Sequence, residues 1–436
     1  MKHALILLTL TSLLLAACGG TPAPDIEATV QAAVVATQTA QPTERAAPEP
    51  TKSGAPSATL GEIPVPTASV STATPDAIPT PLVDTPVPPL GGGEVDSLCS
   101  DSQPPLVTDF EVRQAPDLPE PPARIPFRDP VFGTCLVRVT DRTTDLSPED
   151  PSTGLKNEYS RVQSFNADGS QVLVRSIEAN WYLYDAHTLQ PLGRLPLEVE
   201  PRWDASNPDL LYYSDETRLM AYNVRSGEGS LVRDFAADFP DQSLAAVWTR
   251  YEGSPSFDSR YWGLIAQDQD WQAVALLVYD QVEDRVIASR DMRGMSELER
   301  EIDSVTISPL GNYFLAYHDK YCESGQLGDD AHPCGLMIYD RDLTNGRSLL
   351  RIVGHSDAAL DSQGREVLIY QDIDTDHISM LDLASGTVTR LWPIDFSHTP
   401  IGLHFSGRAS RSDRPGWALV STYSGGHPTD YTWMDD

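Results

Sequence analysis

One short pattern recurs five times along this chain and limits what it can fold into. An apolar run ends in a large side chain followed by Asp or Asn, as in Trp181-Tyr182-Leu183-Tyr184-Asp185. It returns at Leu219–Asn223, Leu276–Asp280, Leu336–Asp340 and Ile378–Asp382. Each run is short and rich in aromatic and branched residues, as strands are. The closing Asp or Asn suits a turn, because its side chain can accept a hydrogen bond from the backbone N–H two residues on. A second element keeps step with the first. Asn166-Ala167-Asp168-Gly169, Ser308-Pro309-Leu310-Gly311 and Asp361-Ser362-Gln363-Gly364 read as tight hairpin turns, each followed by an apolar strand.

Repeating units therefore begin near 160, 200, 254, 303, 355 and 400. A spacing of about 40–55 residues with four strands per unit is the arithmetic of a radial array of small sheets. A two-layer sandwich has no need of the same strand five times. The units resemble the TolB-like, or WD40-like (PD40-type), propeller repeat over roughly 155–395. Two of them lack the turn glycine, at Asp204–Pro208 and at Asp258-Ser259-Arg260. The expected fold is all-β: a β-propeller of about six to seven four-stranded blades occupying 99–436. Unit six offers a first strand at Ile401–Phe405 and a second at Trp417–Tyr423, then the sequence stops. Its blade looks short, through either irregular closure or a truncated gene product. Cys135–Val139 could supply the missing outer strand. A propeller fixes no function by itself.

The N-terminal part is of a different kind. A basic start (Met1, Lys2, His3) precedes an apolar stretch from Ala4 to Leu15, too short to cross a bilayer and of the right length for a signal-peptide core. Leu15-Ala16-Ala17-Cys18 resembles the lipobox of bacterial lipoproteins. That resemblance implies a signal peptide over 1–17, cleavage before Cys18, lipid on its thiol, and anchoring at the outer face of a membrane. Residues 18–98 hold much of the chain's complement of 36 prolines, with Thr, Ala and Ser and no aromatic residue. Such a segment cannot bury enough apolar surface to offset its ordering entropy, and reads as a disordered tether that reaches roughly 200 Å when stretched.

Once Cys18 is assigned to lipid, Cys99, Cys135, Cys322 and Cys334 remain in an oxidising compartment. Cys322 and Cys334 flank an insertion in unit four and would close it. Cys99 would then pair with Cys135, with four free thiols as the alternative. The formal net charge of −32 repels a phosphate backbone and argues against a nucleic-acid partner.

In a propeller the first strand of each unit lines a central channel. Polar residues there are the candidates for ligand binding: Arg161, Glu200, Arg202, Asp303, His355, Asp357, His404 and Arg408. The insertion adds His318, Asp319, Asp329, Asp330 and His332, expected at the same mouth. The plainer alternative is that these groups bond backbone in the seams between blades. No catalytic motif is present, and no cofactor is expected beyond a divalent cation in one reading. The favoured function is a non-catalytic module binding an extracytoplasmic peptide, protein or glycan. The alternative is a metal-assisted carbohydrate-active enzyme using His355, Asp357 and His404. Oligogalacturonate lyases are also propellers with a histidine-rich metal centre, but their ligands do not match residue by residue.

Overall fold

The structure is a computed structural model that describes Arg113 and residues 118–394, 402–409 and 415–423. The expected signal peptide (1–17), the expected lipidation site Cys18, the expected tether (18–98) and Cys99 lie outside the described residues.

Five antiparallel four-stranded sheets follow one another along the chain, each with its strands in sequence order. The first holds β3 (Leu155–Lys156), β4 (Gln171–Ser176), β5 (Trp181–Asp185) and β6 (Pro191–Leu195). The second holds β7 (Val199–Trp203), β8 (Leu210–Asp215), β9 (Arg218–Asn223) and β10 (Glu228–Asp234). The third runs from β11 (Leu244–Trp248) through β12 (Tyr261–Asp268) and β13 (Ala273–Asp280) to β14 (Arg285–Asp291). The fourth comprises β15 (Ile302–Ile307), β16 (Tyr313–His318), β17 (Leu336–Asp340) and β18 (Arg347–Leu350). The fifth comprises β19 (Ser356–Leu360), β20 (Glu366–Asp372), β21 (His377–Asp382) and β22 (Val388–Pro393). A two-stranded sheet, β23 (Gly402–Ser406) with β24 (Leu419–Tyr423), comes last.

The blade count thus differs from the expectation. Among the described residues there are five four-stranded blades rather than six or seven, and unit six contributes only its first two strands. Cys135-Leu136 does not complete that blade. It forms β2 and pairs with β1 (Phe127–Arg128) in a separate two-stranded sheet.

The recurrent motif is the third strand of every blade, and both of its parts have work to do. Tyr184, Tyr279 and Tyr339 are fully buried, each contributing on the order of 2 kcal/mol through its apolar area. The acid builds the turn that follows. Asp185 Oδ1 accepts from His187 N at 3.0 Å and Thr188 N at 2.7 Å, and Asp280 Oδ1 accepts from Val282 N at 3.1 Å. Asn223 serves in the same way, accepting from Arg225 N at 3.0 Å. The hairpin glycines 169, 311 and 364 all have φ between 72° and 75°. Where glycine is absent the chain finds two substitutes. Ser259 itself adopts φ 62°, while Asp204 Oδ1 accepts from Ser206 N and Asn207 N at 2.9 and 2.7 Å.

The core is a set of seams between neighbouring sheets. Trp181 and Leu183 of blade one meet Trp203 and Leu211 of blade two. Tyr212 and Leu219 of blade two meet Trp262 and Leu277 of blade three. Ile265 and Val278 of blade three meet Phe314 and Tyr339 of blade four, and Leu315 and Ile338 meet Leu368 and Leu381 of blade five. Ala359 and Val367 then pack on Leu403 and Phe405 of the last sheet. Side chains of blade one, between β3 and β4, meet blade five and β23, described below, so the series closes on itself. A sandwich would show one shared core between two layers; successive seams around a closed series make a β-propeller.

Cys322 and Cys334 form a disulfide with Cα atoms 5.0 Å apart, closing the insertion between β16 and β17. Cys135 is also disulfide-bonded. Among the described residues no helix is long and apolar enough to cross a membrane.

Candidate functional site

The first strands of the units, and the segments that flank them, bring polar residues to the axis. Arg161 lies at the centre. Its Nη1 is 3.0 Å from Glu252 Oε2, its Nη2 donates to Ser356 Oγ at 3.4 Å, and its guanidinium sits 4.7 Å above the Tyr317 ring. Burial works against this cation, but Glu252, Tyr317, Tyr159 and Asp357 outweigh it and raise its pKa. The acids feel the same dry surroundings. Burial lifts Glu252 and Asp303 despite the opposing arginines, and lifts Asp357 to about 6. Asp357 is held in place by Gly407 N at 2.7 Å and Ala358 N at 2.9 Å.

Arg202 makes a second knot. It donates to Gly253 O at 2.8 Å, to Pro201 O at 3.0 Å, to Tyr251 O at 2.6 Å and to Glu158 Oε2 at 3.0 Å. Its donors are spent on the framework. Glu200 accepts from Thr249 N at 2.9 Å and from Tyr251 N. It thereby pins a segment in which Arg250 and Tyr251 both take left-handed backbone conformations. That kink is what carries Glu252 into the channel.

Toward the start of the inner strands three rings cluster. Tyr159 Oη and His355 Nδ1 are 2.9 Å apart, and the His404 ring lies 4.8 Å from His355 and 5.3 Å from Tyr159 between centroids. Burial, with His404 and Arg161 nearby, holds His355 down to about 3, so both imidazoles are neutral at pH 7.

The other end of the channel opens into a cleft of about 410 Å³. Its wall includes the turns that follow the first strands of blades one, two and three, at Ala167, Gly169, Asp204, Ala205 and Ser259, with Phe165, Trp203 and Phe257 as its aromatic surface. Arg202 and Arg408 reach it from the channel. Arg408 packs its guanidinium 4.8 Å above the Phe257 ring and donates to Pro255 O at 2.5 Å. Burial depresses its pKa to about 10, more than Asp357 restores.

Arg161, Arg202, Asp303, His355, Asp357, His404 and Arg408 therefore do share one channel. They divide by role: the first two are bound into the framework, the histidines stack with Tyr159, and Arg408 faces the cleft. Sequence reasoning missed Glu158, Tyr159, Glu252 and Tyr317. Glu158 and Tyr159 precede Arg161 by two or three residues and were within reach of the same argument. Glu252 was not, since it belongs to no strand.

The insertion departs from expectation. Asp329 bridges to Arg347 of β18, Asp330 is 3.3 Å from Arg290 of β14, and His332 Nδ1 is 3.3 Å from Glu299. β14 and β18 are outermost strands. The loop runs outward along the blade rather than over the channel, because its backbone pairs with β18 at Arg347 and Asp330 finds Arg290 there. Asp319 alone stays near the axis, 4.0 Å from Arg250. His318 is buried in the blade, its pKa held down to about 4 by that burial.

The ligand set His355, Asp357 and His404 does not assemble as a metal site. The imidazoles come together, but Asp357 is turned to backbone N–H groups and arginines. Among the described residues no three His, Cys, Asp or Glu side chains group so as to hold a metal.

This architecture makes the chain a β-propeller, with five four-stranded blades among the described residues. No family model matches the sequence, and no curated protein matches it. Among solved structures it is similar to an oligogalacturonate lyase in complex with manganese, at 15% identity and a TM-score of 0.44, covering 61% of this chain and 71% of that one. It is also similar to an oligogalacturonate lyase from Vibrio parahaemolyticus, at 13% identity and a TM-score of 0.39, covering 68% of this chain and 95% of that one. At this distance neither likeness speaks to ligand or chemistry.

Proposed function

We propose that this chain is a binding module displayed outside the cytoplasm, held to the membrane by lipid on Cys18 and carried on the 18–98 tether. Its ligand is an extracytoplasmic peptide, protein or glycan. The observation that carries this reading is the cleft. It combines a volume within the usual range for ligand sites, an aromatic wall and a cation reaching in from the channel. Glu158, Glu200, Glu252 and Asp357, with Arg161 and Arg202, are bound to one another or to backbone, which suits a rigid wall better than a proton-transfer centre.

A thermal-shift screen of the full chain against peptides and glycans tests this. A true ligand raises Tm, and Ser254→Trp, which fills the cleft, abolishes that rise. A ligand whose effect survived the filled cleft would move the site elsewhere.

A second reading, the metal-assisted carbohydrate-active enzyme, draws on the closeness of His355 and His404. It requires manganese-dependent release of unsaturated uronate from a polyuronate, lost in His355→Ala and His404→Ala.

A further inference from the structure

Resting on the cleft as the binding site, we infer that its ligand is a small organic acid with a single carboxylate, and that Arg408 is the group that selects it. A guanidinium carries five N–H donors in a planar fork shaped for a carboxylate. Arg202 spends its donors on three carbonyls and Glu158, and Arg161 is paired with Glu252. Arg408 gives one hydrogen bond, to Pro255 O. Among the described residues it takes part in no ion pair, whereas both other arginines do. Asp357, the acid nearest in influence, has its oxygens engaged by Gly407 N and Ala358 N.

The Arg408 side chain is thus a fixed cation with spare donors at a cavity wall. Phe257 sets its plane from one side. The rest of the wall limits the ligand further. Phe165, 48% exposed, offers an apolar surface for the body of the acid. One available guanidinium matches one carboxylate. A long polyanion would meet the field of a chain with net charge −32, which disfavours its approach.

The test is calorimetric titration of the full chain in detergent with two matched pairs. N-acetyl-phenylalanine is compared with its neutral amide, and glucuronic acid with glucose. In at least one pair the acid binds about tenfold or more tightly than its neutral partner, the scale of a charge-assisted hydrogen bond. The pair showing the preference tells whether the source is peptide-like or sugar-like. Arg408→Gln erases the preference, and Arg408→Lys keeps it while weakening binding, because the charge stays and the fork is lost. Equal affinity for acid and neutral partner overturns the carboxylate assignment but leaves the cleft a binding site. Failure of all four probes to bind the wild-type chain overturns the small-acid assignment, and the broader reading then stands or falls on the Ser254→Trp screen.

Discussion

Arg161 and Arg408 occupy the same channel, each just after the first strand of its unit, units one and six, and they live in opposite circumstances. Arg161 is enclosed by Glu252, Asp357 and two tyrosine rings. Arg408 has a ring, one carbonyl and a cleft. The difference teaches how a propeller axis can be both structural and receptive. Where each buried charge has its counter-charge, the channel is a brace between blades. Where a charge is left to the solvent side of the brace, a ligand can supply what is missing.

The largest effect should come from breaking the brace. Arg161→Met leaves Glu252 and Asp357 without their cation and should cost about 3–5 kcal/mol in urea unfolding at pH 7. A cost below about 1 kcal/mol would mean that the pairing braces nothing.

Comparable in size are two opposed pH effects, about 3 kcal/mol for Asp357 and up to about 5 kcal/mol for His355. Asp357 has a folded pKa of about 6 against an ordinary 3.8. The folded state therefore binds its proton more tightly, and the stability this confers is complete below pH 3.8 and lost as pH rises through 6. His355 is displaced the other way, from 6.5 to about 3. Its neutral form is favoured by folding, so its contribution is present above pH 6.5 and lost as pH falls toward 3. Asp357→Asn should flatten the alkaline side of a stability-versus-pH curve, and His355→Gln the acid side. An Asp357→Asn curve that still fell between pH 4 and 7 as the parent does would remove this carboxyl from the account.

The smallest effect on stability belongs to Arg408→Met, within about 1 kcal/mol by chemical denaturation, because no buried acid is orphaned. Equal losses from Arg161→Met and Arg408→Met would erase the contrast between brace and cleft.

Much of the fold was legible because it repeats. A tyrosine or leucine followed by Asp encodes a buried large side chain and a side-chain-bonded turn, and both are local devices that tertiary context did not override. The number of blades was not legible, since Ile401–Phe405 and Trp417–Tyr423 look like the opening of a full blade whatever follows them. The channel candidates followed from their place on first strands, as with Asp303, His355 and Asp357. Glu252 escaped because its position depends on Glu200 bonding Thr249 N and Tyr251 N from a neighbouring blade. No spacing in the sequence records such a contact. The insertion misled for a related reason: its backbone pairs with β18 at Arg347 and Asp330 answers to Arg290, outer positions that only the folded blades define.

The central claim is that units far apart in sequence meet around one axis. A double-mutant cycle on Arg161 and Glu252, which lie on blades one and three, measures that meeting directly. Urea denaturation of the parent, Arg161→Met, Glu252→Gln and the double variant should give a coupling of about 1.5–3 kcal/mol, as for residues sharing a buried ion pair. Costs that simply add, with coupling near zero, would place the two residues apart and contradict the closed ring.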